Sequence, residues 1–151
     1  MVCLGNICRS PLAEGILKDL VKEKNLDWEV DSAGTAAYHV GELPDPRSIE
    51  IGLKYGIDIR DQKARKFEVQ DFFDFDKILV MDKSNYANVL SQAPDSAHFD
   101  KVKLILDYNP DSKAQEVPDP YYGGKDGFDN VFNLLFNACI ELVKPYESNN
   151  R

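Results

Sequence analysis

The stretch VCLGNICRSP, residues 2–11, constrains the fold more than any other part of the chain. An apolar strand end, Met1-Val2, runs into a tight loop built on Gly5-Asn6. Pro11 to Lys24 then reads as an amphipathic helix with Leu12, Ile16, Leu17, Leu20 and Val21 on one face. Ser10 is expected to cap this helix and Pro11 to occupy its first turn. The alternation continues downstream. WEVDSAGT (28–35) reads as a short strand ending in a turn, and Asp45 to Tyr55 as a helix stopped by Gly56. FDKILVMD (75–82) reads as a buried strand, followed by a helix opened by Asp82 or Ser84 and running to about Leu90. KVKLILDY (101–108) reads as another strand, and a last helix is expected from about Phe128 to Val143, with Val131, Leu134, Leu135, Ala138 and Leu142 inward. Strand and helix in alternation predict an α/β fold whose parallel sheet is covered on both faces. In such folds ligands sit at the carboxyl ends of strands beside helix N-termini, which is where VCLGNICRSP lies.

With 151 residues, 43% of them hydrophobic, the chain suits one domain spanning 1–151 with a proper core. No apolar run approaches the roughly 18 residues that span a bilayer, and the N-terminus has no signal-peptide pattern. Three cysteines, an odd number, do not suggest a secreted disulfide scaffold, so a reducing, cytoplasmic setting is expected. A net charge of −8 argues against a nucleic-acid or anionic-membrane partner. It does not exclude an anionic substrate, because screening confines surface charge to about 8 Å at physiological salt.

The chemistry of the opening loop follows from its residue types. Cys3 is followed by five residues and then Arg9-Ser10, a spacing that is common by chance on its own. Its setting strengthens it. Backbone N–H groups from Leu4 to Arg9, through Gly5, Asn6, Ile7 and Cys8, can wrap into an anion-binding nest, and Gly5 and Asn6 tolerate the positive φ that a nest requires. The helix that follows adds its positive dipole end, and Arg9 offers a planar fork matched to two phosphoryl oxygens. The same field favours a thiolate at Cys3, and the Ser10 hydroxyl is placed to donate to it. A thiolate inside a phosphate cradle suggests displacement at phosphorus through a cysteinyl-phosphate intermediate. Such chemistry needs a proton donor for the leaving group. His39 and His98 have no companion pattern and read as surface or pocket-rim residues. Asp119, held between Pro118 and Pro120 in PDPYYGG, is a better candidate, although the residues alone slightly favour a plain Asp-Pro turn. A zinc clip is disfavoured and no metal site is expected, since only Cys139 and two isolated histidines remain beside Cys3 and Cys8. Cys139 reads as core.

VCLGNICRSP together with the distant DPYYGG resembles the signature pair of the low-molecular-weight protein tyrosine phosphatases. DSAGT (31–35), PDPRS (44–48), FDKILVMDKSN (75–85) and the closing helix also fall where that family has its segments, so the resemblance covers nearly the whole chain. It implies a three-layer α/β fold with a central four-stranded parallel sheet and a phosphate-binding loop after strand 1. It implies a cofactor-free hydrolase of phosphotyrosine in a protein, or of a small aryl phosphate, that releases inorganic phosphate and acts as a monomer or weak dimer. Residue by residue, Cys3 would be the nucleophile and Arg9 the ligand of two equatorial oxygens. Ser10 would support the leaving thiolate. Asn6 would hold the loop's backbone by bonding to Ser32. Asp119 would be general acid, then base. Tyr38, Tyr121 and Tyr122 would wall a slot of phosphotyrosine depth. Cys8 would be a redox partner, able to close a reversible disulfide onto oxidised Cys3, against the alternative of a small buried hydrophobe.

Three departures from the family pattern stand out. Tyr38 occupies a position where animal members tend to have tryptophan, and Gln62 one where some have histidine. Family members also carry several apolar residues before the nucleophile, whereas here strand 1 is truncated to Met1-Val2. A protein that began here is therefore expected to be less stable, or to pair with a second chain. Three rival readings share the fold. An arsenate reductase would need two further cysteines around residues 70–90, where FEVQDFFDFDKILVMDKSN has none. A protein arginine phosphatase tends to have threonine where this chain has Ile7. A non-catalytic phosphotyrosine-binding module would have no use for Cys3 and Asp119 together.

Overall fold

The computed structural model describes residues 1–109, 111–121, 123 and 125–147. Its strands are β1 (Val2–Cys3), β2 (Ala33–Gly34), β3 (Ile78–Val80) and β4 (Val102–Leu104). Its helices are α1 (Arg9–Glu23), α2 (Pro46–Lys54), α3 (Asp71–Asp74), α4 (Lys83–Ser91) and α5 (Lys125–Glu147). The strands form one parallel sheet in the order β2-β1-β3-β4. Val2 pairs with Ala33 on one side and Val80 on the other, and Ile78, Leu79 and Val80 pair with Val102, Lys103 and Leu104.

Side chains alternate across a strand, and that alternation builds the layers. Val2, Ile78, Val80 and Val102 pack with Phe67, Phe72 and Val89, on the side of α3 and α4. Cys3, Leu79 and Met81 point the other way, into the core formed by Leu12, Ile16 and Leu20 of α1, Ile51 of α2, and Val131, Leu135 and Cys139 of α5. The three-layer, four-stranded parallel arrangement is the expected one, with β1 at its centre.

Several boundaries differ from expectation for identifiable reasons. The first helix starts at Arg9 with Cys8 at its N-cap and no side-chain cap bond. Ser10 is not the cap, because its hydroxyl is drawn to Cys3 and Asn6 instead. The ladder of the 28–35 segment is confined to Ala33–Gly34. Residues 27–31 and 74–77 instead line a cavity of about 460 Å3 beside Met1. The 101–108 strand stops at Leu104, and Ile105–Tyr108 forms a 3-10 turn. Ile105 and Leu106 are consecutive and both enter the α1–α5 core, which the two-faced alternation of a strand does not permit. Helix α3 and a 3-10 turn at Ser96–Lys101 were not anticipated. Of the two expected starts of α4, Asp82 is the cap, and Asp45, expected as the first residue of its helix, caps α2 instead. Asp45 accepts the Arg47 N–H and Asp82 accepts the Asn85 N–H, each at 2.8 Å. Gly56, at φ 79°, lies just beyond the end of α2.

The sheet positions the loop after β1 by direct backbone contact. Thr35 and Ala36 donate to the carbonyls of Cys3 and Leu4, each at 2.9 Å. Gly34 lies so close beneath that a Cβ there would stand 2.8 Å from the Leu4 oxygen and 3.1 Å from the Asn6 nitrogen. Both neighbours are backbone and cannot rotate away. Gly34→Ala is therefore expected to lower stability by about 1–3 kcal/mol, read as the midpoint of urea unfolding. A midpoint equal to that of the parent chain would show that the loop moves freely over β2.

Candidate functional site

The loop from Leu4 to Cys8 turns on Asn6, which takes the left-handed conformation at φ 57°. Asn is one of the few side chains that tolerate this region. Gly5 keeps a negative φ. Its missing side chain instead makes room for the His39 ring, 3.1 Å from where a Cβ would stand. Asn6 is buried, and its side chain is fully engaged. Nδ2 donates to Ser10 Oγ at 2.7 Å and to Ser32 Oγ at 2.9 Å, and Oδ1 accepts the Arg65 N–H at 3.0 Å.

These bonds give the network a direction. Ser32 donates its single hydroxyl proton to Glu14 Oε1 at 2.7 Å, so towards Asn6 it acts as acceptor. Both protons of the Asn6 amide are then spent on the two serines. Ser10 is left with its own proton for Cys3 Sγ, 3.1 Å away. The Asn6 N–H also points at that sulfur, at 3.3 Å. Two donors therefore converge on Sγ. At the far end, Lys18 Nζ lies 2.7 Å from Glu14 Oε2 and supplies the counter-charge. Burial alone would lower the Lys18 ammonium, but the hydrogen bond and charge of Glu14 outweigh it and hold it raised.

Arg9 forms the opposite wall. Only 2% exposed, its Nη1 donates to Asp82 Oδ2 at 2.7 Å and to the Val117 carbonyl at 3.0 Å. Its Nη2 lies 3.6 Å from Asp119 Oδ2. The other Asp119 oxygen accepts the Tyr121 N–H at 3.0 Å, which orients the carboxyl over the loop. The N–H groups of Gly5, Ile7 and Cys8 have no protein acceptor among the described residues, so they are open to an anion.

A cleft of about 170 Å3 brings together Cys3, Arg9 and Asp119 with Leu4, Gly5, Ile7, Cys8, Tyr38 and Tyr121. Asn6, Ser10 and Ser32 lie beneath it as buried support. Tyr38 is 77% exposed, so it borders the mouth rather than a deep wall. Tyr122 lies outside the described residues. His39 is a rim residue, bonded to Glu42. His98 packs against Phe72 and Phe73, away from the cleft. Burial pushes the Cys8 thiol up to about 12, with Asp45 adding to the effect, and burial does the same to Cys139 in the core. Both are therefore protonated at neutral pH. Among the described residues no group of three or more His, Cys, Asp or Glu is clustered to hold a metal ion.

The sequence reading missed Glu14, Arg65 and the second role of Asp82. Glu14 was detectable as an acidic residue on the inward side of a predicted helix, four residues before Lys18. Asp82 was one of two candidate starts of α4, with Ser84; one of its oxygens does cap α4 while the other holds Arg9. Arg65, which bonds Asp31 and Asp71 through its side chain and Asn6 through its backbone, left no local signal.

Residues 1–151 match the model of a family described as low molecular weight phosphotyrosine protein phosphatase. A Schizosaccharomyces pombe protein of that name is 43% identical over 146 residues, covering 95% of this chain and 92% of the relative. The crystal structure of a protein tyrosine phosphatase from Entamoeba histolytica, with Hepes in its active site, superposes with a TM-score of 0.92 at 39% identity, covering 99% of this chain and 96% of that one. The structure of a drosophila arginine phosphatase superposes with a TM-score of 0.90 at 35% identity, over 96% and 94% of the two chains.

Ser32 is the hinge of the directed network. Ser32→Ala leaves an Asn6 proton and a Glu14 oxygen unpaired in the interior, at a cost of about 1–3 kcal/mol. Urea unfolding should show that loss, and alkylation of Cys3 by iodoacetate should slow at pH 6. Unchanged alkylation would mean that the hydroxyl chain does not reach the sulfur.

Proposed function

Because the chain belongs to the low molecular weight phosphotyrosine protein phosphatase family and is an enzyme of that class, we propose that Cys3, Arg9 and Asp119 carry its reaction. The observation that supports this most strongly is the convergence of three chemistries on one cleft. A sulfur with two donors at 3.1 and 3.3 Å faces a buried guanidinium, and a carboxyl lies 3.6 Å from that guanidinium.

The amides of the loop and the N-terminus of α1 receive the phosphoryl group of an aryl phosphate monoester, and Arg9 takes two of its oxygens. Cys3 Sγ attacks phosphorus. The S–P bond forms as the P–O bond to the phenol breaks, and the Asp119 carboxyl passes its proton to the departing phenolate oxygen. Asp119, now ionised, takes a proton from an incoming water as that water's oxygen bonds to phosphorus. The S–P bond breaks, Cys3 returns as a thiolate held by the Ser10 hydroxyl, and inorganic phosphate leaves.

Ile7 and Tyr38 give the cleft an apolar side and a ring at its mouth. These suit the aromatic ring of phosphotyrosine better than the polar guanidino group of phosphoarginine. We take the substrate to be a phosphotyrosine-containing protein or a small aryl phosphate. We further read the whole chain as a single domain, acting as a monomer or weak dimer in the cytoplasm, a compartment that keeps a thiol nucleophile reduced. Among the described residues, no helix is long and apolar enough to cross a membrane.

Hydrolysis of para-nitrophenyl phosphate is expected to proceed in the presence of a chelator and to vanish in Cys3→Ser. Asp119→Ala should lower turnover by about 10²–10³-fold through loss of general acid–base transfer, with a much smaller change in binding. Turnover that survived Cys3→Ser would overturn the mechanism.

Cys8 is proposed as the redox guard of Cys3, since both line the cleft. Peroxide converts the Cys3 thiolate to a sulfenic acid. The Cys8 sulfur then attacks that sulfur, and the hydroxyl leaves as water with the Cys8 proton. The thiol held at about 12 makes Cys8 a poor target for peroxide itself. Mass spectrometry of peroxide-treated enzyme should show a Cys3–Cys8 disulfide and recovery of activity with thiol. Cys8→Ala should lose activity irreversibly under the same dose. Equal recovery in the two proteins would remove Cys8 from this role.

A further inference from the structure

We propose that Arg47 is a positioning residue for the reaction: it latches the Asp119 loop onto the phosphate-binding loop and so holds the general acid over Arg9. The proposal rests on the reading of Asp119 as that acid.

Arg47 stands in the first turn of α2, outside the cleft, and is partly exposed. Its guanidinium is not free to wander. Nε donates to Asp45 Oδ1 and Nη2 to Asp45 Oδ2, both at 3.0 Å, so the fork is gripped at two points. Asp45 is itself fixed, for its backbone N–H donates to the Ile7 carbonyl at 2.8 Å, within the phosphate-binding loop. Ser48, one turn along α2, donates to the Cys8 carbonyl at 3.2 Å. The N-terminus of α2 is thus bolted to the loop that carries the nucleophile.

From that base Arg47 reaches the other loop. Nη2 donates to the Tyr121 carbonyl at 3.0 Å. The guanidinium also lies over two rings, 5.5 Å from the centre of Tyr121 and 4.8 Å from that of Phe128. Tyr121 is the residue whose N–H orients the Asp119 carboxyl. Asp119 therefore lies between two external ties. On one side the Val117 carbonyl is held by Arg9 and its N–H by the Met81 carbonyl, at 3.0 and 2.8 Å. On the other side Tyr121 is held by Arg47. A general acid must be within hydrogen-bond reach of the leaving oxygen, and displacement by about 1 Å costs up to 10²-fold in rate. Two ties, one on either side of the acid, supply that restraint. The grip on Asp45 also explains its charge state. Burial alone would raise its carboxyl, but the hydrogen bonds and charge of Arg47 outweigh burial and hold it below the usual range. The pair therefore persists to lower pH than an ordinary carboxylate would allow.

The test uses the full chain and two aryl phosphates that differ in leaving-group basicity, phenyl phosphate and para-nitrophenyl phosphate. Their kcat/KM values report the steps through phenolate departure, where a proton matters most for the more basic phenolate. Asp119→Ala should lose far more on phenyl phosphate than on para-nitrophenyl phosphate. Arg47→Met, which keeps an unbranched stem over Phe128, should show the same signature in smaller form. The expected losses are about 10-fold on phenyl phosphate and about 3-fold or less on para-nitrophenyl phosphate, as for an acid displaced but not removed. In the Asp119→Ala background, Arg47→Met should change phenyl phosphate turnover by less than about 2-fold, because coupled residues are not additive. Arg47→Lys, which retains charge but not the fork, should fall between the parent and Arg47→Met. Competitive inhibition by inorganic phosphate and the melting temperature of each variant report whether the phosphate loop and the fold are intact.

Equal losses on the two substrates, or losses that multiply in the double variant, would overturn the latch while leaving Asp119 as the acid. Indifference of Asp119→Ala to the leaving group would overturn the acid assignment, and the latch with it. Weaker inhibition by phosphate in Arg47→Met would also overturn the latch, since Arg47 would then serve the phosphate loop instead.

Discussion

Arg9 carries a full charge where water scarcely reaches, and the site is built around its accommodation. Moving an ion into a protein interior costs several kcal/mol even after relaxation, and breaking a buried pair by removing one partner costs about 3–5 kcal/mol. Here the cost is offset by partners drawn from distant parts of the chain. Asp82 lies at the β3–α4 junction, and the Val117 carbonyl and Asp119 lie in the segment before α5. The requirement to satisfy one guanidinium thus fixes where the sheet, α4 and the acid loop stand relative to α1. It also aims the remaining face of the fork at the cleft.

The other wall of the loop is held by a different kind of chemistry. Asn6 spends its side chain on two hydroxyls and a backbone N–H, and the carboxylate of Glu14 sets the direction of the chain that ends on Cys3. A left-handed residue with three buried bonds resists relaxation, since every alternative rotamer would orphan a polar group. The loop is therefore stretched between an ionic anchor on one side and a hydroxyl relay on the other. Gly34 lies beneath it, too close for any side chain. Preorganised donors of this kind stabilise developing charge without paying reorganisation at the moment of reaction.

What could be read in the sequence depended on the range of the interaction. Helix faces, the helix starts at Asp45 and Asp82 and the stop at Gly56 are local, and each lies within a residue or two of where pattern and propensity placed it. Strand ends depend on neighbours far along the chain. The 28–35 segment ladders at two residues because β1 offers two partners, and β4 ends where Ile105 and Leu106 must both turn inward. The site divided in the same way. Cys3, Gly5, Asn6, Arg9 and Ser10 stand within eight residues, and their residue types ahead of a helix start pointed to a phosphate cradle where spacing alone did not. Asp119 was ambiguous with a plain turn until the resemblance was considered. Arg65 and the Arg9 contact of Asp82 are satisfied across more than fifty residues, and no periodicity or turn signal reports such a partner.

The remaining question is how an acidic protein holds a dianion beside three carboxylates. Glu14 is neutralised by Lys18 and Asp82 by Arg9, so Asp119 is the carboxylate whose charge bears directly on the cleft. An ionised Asp119 and a phosphoryl dianion at the same guanidinium repel one another, whereas a protonated Asp119 does not. In the proposed reaction, binding of the dianion and a proton on Asp119 would therefore favour one another by the same free energy. The phosphoryl group would thus favour the acid form that its own leaving group requires in that reaction. In the proposed reaction the phenol departs with that proton, and an ionised carboxylate is left facing a phosphocysteine that carries one charge less than the thiolate and phosphate dianion that formed it, in the state needed to receive a proton from water. The −8 of the whole chain is spread over the surface and screened within about 8 Å, so in the proposed reaction this local exchange between one arginine, one aspartate and the substrate outweighs it.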